Sequence, residues 1–146
     1  MKRLAAARGY SLIELVVTIA IAAILAALAI PRFTQPEIDA TWFHEQVKAA
    51  VRYAQREAVA QRRCVFVTVS ATQLELFYGD ASCVITGTRL TQITTGANYT
   101  LSKPSGVTLA PVTAFRFNGL GQPDAGVTLT VSGKPITVTA ETGYVR

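Results

Sequence analysis

Glu14 is the residue whose surroundings most demand an explanation. It stands in an apolar run from Leu12 to Ile30, nineteen positions in which only Glu14 and Thr18 are polar. A carboxylate in a membrane helix costs on the order of 2.5 to 3.5 kcal/mol near the centre and less near the end, so it is a functional candidate by default. Its partner should be a cation; the plainer alternative is a carboxylate wetted by lipid headgroups. Cys64 and Cys83 are the other reactive pair. They lie beyond the apolar run, where an oxidising compartment would join them, and closing a loop of that length contributes about 3 kcal/mol in the chain-entropy model. Free thiols or metal ligation are weaker readings, because one His and two separated Cys make no zinc spacing.

The remaining chemistry-bearing residues point away from catalysis. Arg52, Arg56, Arg62 and Arg63 could form a phosphate-binding face, but such charges more often solvate the outside of a helix and suit its C-terminal end through the macrodipole. His44 stands alone, with no Cys or acidic pair arranged around it, which implies a surface or packing role. The sequence offers no nucleophile with a base, no paired carboxylates in a plausible loop and no Gly-rich phosphate cradle. No catalytic residue, metal ligand or cofactor is therefore expected, and the chain should not be an enzyme.

The element that must position Glu14 is a helix. From Leu12 to Ile30 it would be about 28 Å long, enough to span a bilayer. Lys2, Arg3 and Arg8 precede it and make its N-terminal side cytoplasmic, so the chain beyond Pro31 leaves the cytoplasm. A secretory signal peptide fits poorly, since its apolar region would be about 7 to 15 residues with a small-residue cleavage site at the far end. Here the small residue, Gly9, comes first. Length allows one domain, or one membrane helix and a small domain of about 85 residues. The formal charge of +5 includes Lys2, Arg3 and Arg8; without them eleven basic side chains face nine acidic ones, no nucleic-acid signature by itself.

Along the rest of the chain, Arg32 to Pro36 holds a proline and comes just after another, so the helix should bend or loosen before resuming near Glu37 and running to Arg63. Phe43, Val47, Ala50, Val51, Ala54 and Ala58 fall at helical spacing and make one narrow, Ala-rich stripe suited to packing on a sheet. From Cys64 the period becomes two. Val65 to Val69 and Gln73 to Tyr78 read as a hairpin joined at Ala71-Thr72, and Gly79 to Thr88 reads as a loop. Shorter strands come near 89–93, 99–102, 107–109, 114–117, 127–131 and 136–139, separated by Gly and Pro. Many short strands and no further helix imply an antiparallel sheet system packed on the helix, an α+β arrangement.

A basic leader ending in Gly9, an aromatic Tyr10, then Ser11-Leu12-Ile13-Glu14-Leu15 and an apolar helix closed by Pro31 resembles the type IV prepilins, including the pseudopilins of type II secretion. The resemblance implies that a prepilin peptidase cuts between Gly9 and Tyr10, that the new N-terminus at Tyr10 is N-methylated, and that Glu14, then the fifth residue, docks against the freed amine of a neighbouring subunit. Members more often begin with Phe, so Tyr10 is a departure. Further on, Tyr53-Ala54-Gln55, the run Ala58 to Arg63, the run Phe115 to Pro123 and Glu141-Thr142-Gly143-Tyr144-Val145 resemble minor pilins of the GspH/FimT group, most of all the MshC type of mannose-sensitive haemagglutinin (MSHA) pili.

This resemblance implies the type IV pilin fold: a long N-terminal helix, half transmembrane and half amphipathic, on a small antiparallel β domain. The implied division is a leader at 1–9, an assembly half of the helix at 10–31, its amphipathic half at 32–63 and the β domain at 64–146. The expected partners are major and minor pilin subunits, the prepilin peptidase and an inner-membrane assembly platform. The expected location is the inner membrane, N-terminus cytoplasmic and domain periplasmic, and then the extracellular pilus. Some FimT-like relatives take up DNA and carry Gly-Arg-x-Arg near the C-terminus. The matching positions here are Gly143, Tyr144, Val145 and Arg146, so one arginine is missing and Arg146 offers at most a weak, salt-dependent contact.

Overall fold

A computed structural model describes residues 10–29 and 35–146. They fall into two compact units, one within Met1–Phe33 and one within Thr34–Arg146. The first is a single helix, α1 (Leu12–Ala29). The expected leader, Ile30, Pro31 and most of the expected bend lie outside the described residues.

The second unit opens with α2 (Gln35–Gln61), 27 residues long, two residues earlier at each end than expected. Pro36 sits in its first turn, where a missing N–H costs nothing, and Glu37 there suits the positive end of the helix dipole. The C-terminus closes as a Schellman motif. Arg62 takes a left-handed φ of 49°, its N–H bonds the Val59 carbonyl (3.3 Å) and the Arg63 N–H bonds that of Ala58 (3.2 Å).

The stripe expected to face a sheet does so: Phe43, Val47, Ala50, Val51, Ala54 and Ala58 are fully buried, and Ala40 extends it. Each of the larger ones gains about 1.5 to 3 kcal/mol from burial. Phe43→Ala, which leaves the largest void, is the single change in this stripe that should cost most. The alanines let the helix lie close to β1 and β6 and to β7 and β8.

Among the described residues eight strands form two antiparallel sheets. The first runs β3 (Ile85–Arg89), β2 (Gln73–Gly79), β1 (Val65–Val69), β6 (Thr113–Phe117), with β4 (Thr100–Ser102) also paired to β2. The second runs β5 (Leu109–Ala110), β7 (Val127–Val131), β8 (Lys134–Val138). Register puts Val67 between Leu76 and Phe115, and Val65 between Tyr78 and Phe117, so one face of the first sheet meets α2. Its other face carries a row of Cα partners across four strands, Arg116, Phe66, Phe77 and Arg89. Each guanidinium lies over its neighbouring ring, at 5.9 Å for Arg116 and 5.4 Å for Arg89, and so covers part of it.

The hairpins obey local chemistry. At the β1–β2 turn the Ser70 hydroxyl accepts the Gln73 N–H (3.1 Å). At the β7–β8 turn Ser132 and Gly133 both have positive φ, as a two-residue type I′ connection needs. The correction concerns residues 85–93. The strand occupies Ile85–Arg89, taken from what reads as a loop, while the stretch after Arg89 is held by a Thr91↔Asn98 bridge and by the buried Leu90, whose N–H bonds the Leu76 carbonyl (2.9 Å). β3 is an exposed edge without apolar alternation, so its pairing comes from backbone bonds that no side-chain period reports.

Candidate functional site

In the first unit Ser11 precedes α1, and its carbonyl accepts the Leu15 N–H at 3.1 Å to close the first turn. Glu14 sits in that turn, exposed, and Tyr10 is 79% exposed just ahead of it. Successive helical residues turn by about 100°, so Leu12, Ile13, Leu15, Ile21 and Leu25 are spread over every side of the helix, and all are exposed. A helix apolar all round has no stable home in water and needs cover from lipid or from other helices. Among the described residues no helix is long and apolar enough to cross a membrane. The expected span through Ile30 reaches one position past the described end of α1, and Gly9 lies outside the described residues.

In the second unit Cys64 and Cys83 are bonded, with Cα atoms 5.3 Å apart. Their setting is specific. Cys64 is the buried link between α2 and β1, and its carbonyl accepts the Gly79 N–H (2.8 Å). Cys83 ends an Asx turn in which Asp80 Oδ1 accepts the N–H groups of Ser82 (2.9 Å) and Val84 (2.8 Å). Arg116 Nη1 donates to the Cys83 carbonyl at 2.9 Å.

The arginines do not converge on a phosphate-sized site. Arg52 Nη2 donates to the Val145 carbonyl (2.9 Å), Arg63 donates twice to the Gly79 carbonyl and lies over the Tyr78 ring, and Arg56 turns back to the Arg52 carbonyl. His44 is a packing residue, Nε2 at 3.3 Å from the Pro135 carbonyl and Nδ1 at 3.2 Å from Glu45. Arg146 pairs its backbone with Thr137 beside β8. Among the described residues no three His, Cys, Asp or Glu side chains gather as a metal site.

Sequence reasoning misses the contact that brings three of these distant runs together. Gln55 Nε2 donates to the carbonyls of Gly121 and Thr142, both at 3.0 Å, so α2 holds the 118–123 turn and the C-terminal segment at one place. Asn118 Oδ1 shapes that turn by accepting the N–H groups of Leu120 (2.9 Å) and Gln122 (3.0 Å). Gly143 must be glycine: its φ is 68°, and a Cβ would strike the Gly121 carbonyl oxygen. The available signal was a mid-helix Gln combined with glycines in two distant runs. On the opposite flank of α2, Tyr53 and Tyr99 stack with ring centroids 5.3 Å apart. Burial above all, and then the charge of Glu57, holds the Tyr53 hydroxyl above its ordinary pKa, and burial does the same for Tyr99.

An amphipathic helix clasped to antiparallel sheets, in a chain that also carries a largely apolar helix ahead of it, is the α+β type IV pilin fold. Two crystal structures of the type IV minor pilin FimU from Pseudomonas aeruginosa (strain PAO1) are similar to it at 17% identity. One has a TM-score of 0.57 and shares 75% of this chain and 88% of that one; the other has 0.52, with 73% and 90%. The prokaryotic N-terminal methylation motif matches residues 4–30. The family described as type II transport protein GspH matches residues 45–143, and the chain belongs to that family. It is accordingly a pilin-like structural subunit and not an enzyme. No curated protein is similar enough to count as a match.

Proposed function

We propose that the chain is a prepilin, cut between Gly9 and Tyr10 and N-methylated at Tyr10, whose mature form is a minor pilin acting in assembly, initiation or at the tip of an MSHA-like type IV pilus. The observation that carries this reading is the methylation motif at residues 4–30, which takes in a helix with apolar residues on every side. Such a helix finds its cover first in the inner membrane, N-terminus cytoplasmic and domain periplasmic, and then among the helices of major and minor pilins in the fibre. Glu14 is the docking group, paired with the Tyr10 amine of a neighbour. On this reading residues 1–9 are the leader, 10–31 the assembly half of the helix, 32–63 its amphipathic half and 64–146 the periplasmic β domain. The peptidase and an assembly platform are its transient partners.

A second reading is a minor pseudopilin of type II secretion, favoured by the description of the matching family. A DNA-binding role through Arg146 has less behind it, since Arg52, Arg56 and Arg63 are turned to backbone carbonyls. The test is the intact mass of the subunit from sheared pili. A chain starting at methylated Tyr10 is expected, and Gly9→Leu should remain uncut. Full processing of Gly9→Leu, or a subunit found only with the secretion machinery, overturns the pilus reading.

A further inference from the structure

The Gln55 bonds do more than close the fold: they gather exposed apolar side chains from three distant runs. Val59 lies one turn beyond Gln55, Leu120 comes just before Gly121, and Tyr144 follows Gly143. The runs touch there, with Gly121 packed against Val59 Cγ2 and its carbonyl against Gly143. Leu120 is 78% exposed, Tyr144 61% and Val59 47%. The backbone beneath them is fixed, because Gly121, Gly143 and Val145 are buried and the Asn118 side chain ties the 118–122 turn. Val59 and Leu120, with Gly119 and Arg62, also line an open groove of about 570 Å³. Among the described residues the Arg62 side chain has no carboxylate within ion-pair distance, and Arg56 spends only its Nε, on the Arg52 carbonyl (3.4 Å). Of the acids in these runs, Glu57 is turned to Tyr53 and Gln61 on the opposite flank of α2, which leaves Glu141 alone against Arg56 and Arg62.

We propose that this patch docks a different protein, which inserts a bulky apolar side chain into the Val59–Leu120 groove and sets carboxylates beside it against Arg56 and Arg62. The inference goes beyond the pilin reading and holds for a pilus and a secretion pseudopilus alike. Tyr and Arg around an apolar centre are enriched where proteins dock, and Lys, depleted there, is absent from all three runs. The patch is already ordered by the Gln55 junction, so little side-chain or loop entropy is lost on docking. Unpaired cations at its rim select an acidic partner and speed its approach. A nucleic acid would also meet those cations, but a phosphate backbone gains nothing from Leu120 and Val59. A second copy pairing patch to patch would bring like charges together.

The test uses the full chain in its own cells, with a photoreactive phenylalanine analogue in place of Tyr144. Irradiation should link it to one different protein, and the linked peptide, identified by mass, should hold a bulky apolar residue beside an Asp or Glu. Leu120→Ala trims an exposed side chain and should leave the thermal melt unchanged, yet lower the yield about fivefold. Arg62→Glu should lower it about tenfold, and changing the partner's acid to Lys should restore it. Ile93→Ala, which trims another exposed side chain well outside these runs, should have no effect; a loss equal to that of Leu120→Ala would make the contact non-specific and overturn the proposal. Linkage to a second copy, to nucleic acid, or to a protein whose linked peptide lacks an acid also overturns it. So does the absence of any link in subunits recovered from sheared pili, a result that leaves the pilin reading standing.

Discussion

Gln55 reaches Gly121 across 66 positions of sequence, its side-chain amide donating to the Gly121 carbonyl at 3.0 Å. Through that bond and its twin to Thr142, one helical residue fixes two distant loops. Gln55→Leu keeps the volume and removes both donors, which should cost about 1 to 3 kcal/mol. Gly143→Ala should cost more, about 2 to 4 kcal/mol, because it sets a Cβ against a backbone oxygen at a left-handed φ. Denaturant unfolding of both variants checks the order. A Gly143→Ala protein as stable as the parent would mean that the C-terminal segment is not held as described.

The disulfide supports a different part of the domain. Cys64 and Cys83 close a loop with a sequence separation of 19. Replacing both by Ser should lower stability by about 3 kcal/mol in the chain-entropy model. The Asp80 turn should loosen with it, since what remains is the turn's own hydrogen bonds among Asp80, Ser82, Cys83 and Val84 and one tie from outside, the Arg116 bond to the Cys83 carbonyl. Faster hydrogen exchange confined to residues 79–85 in the double variant is the expected readout. Uniform change across the domain would point instead to global destabilisation.

The helix face, the β1–β2 hairpin and the cysteine pairing were legible because each leaves a trace: a 3.6 period, a period of two, an even cysteine count beyond an apolar run. Val67 between Leu76 and Phe115 is a consequence of alternation once the strands are aligned. Illegible features rest on backbone. Strand β3 pairs without any alternation, and β5 is two residues long, so neither carries a pattern for a window to detect. The Gln55 bonds go to carbonyl groups, which every residue has, so nothing in the sequence marks their acceptors. Glu14 stands out in the sequence as charge in an apolar run, and the partner proposed for it is on another chain.

Tyr53 and Tyr99 give the domain an alkaline dependence. The Tyr53 hydroxyl donates to the Thr91 carbonyl (3.0 Å), and burial followed by the Glu57 charge raises its pKa, as burial raises that of Tyr99. Raised folded values mean that the folded chain keeps protons which the unfolded chain releases from about pH 10 upward. The stability from these groups is therefore complete below that pH and is lost as pH rises through the folded values. Thermal melts should be flat on this account to about pH 9.5 and fall beyond it. Tyr53→Phe with Tyr99→Phe should start less stable, by about 1 kcal/mol for the lost hydrogen bond, yet decline less steeply. An unchanged slope would rule out these two hydroxyls as its source.

Glu14 separates an assembling subunit from one that is merely anchored. If α1 were only an anchor, Glu14→Ala should improve membrane residence, because a charge in hydrocarbon is unfavourable. If Glu14 pairs with the Tyr10 amine of a neighbour, the same change should leave the chain cleaved, folded and membrane-bound but scarce in fibres. Removing one partner of a pair formed in low dielectric leaves an uncompensated charge and costs about 3 to 5 kcal/mol. That is enough to block insertion of a subunit whose apolar helix is otherwise equally at home in lipid. Glu14→Gln discriminates further: it keeps length and hydrogen bonding but not charge, so it should incorporate poorly as well. The measurement is the ratio of this subunit in sheared pili to that in membranes, for parent, Glu14→Ala and Glu14→Gln. Equal ratios in all three would show that Glu14 is not the docking group, and that the apolar surface of α1 alone carries assembly.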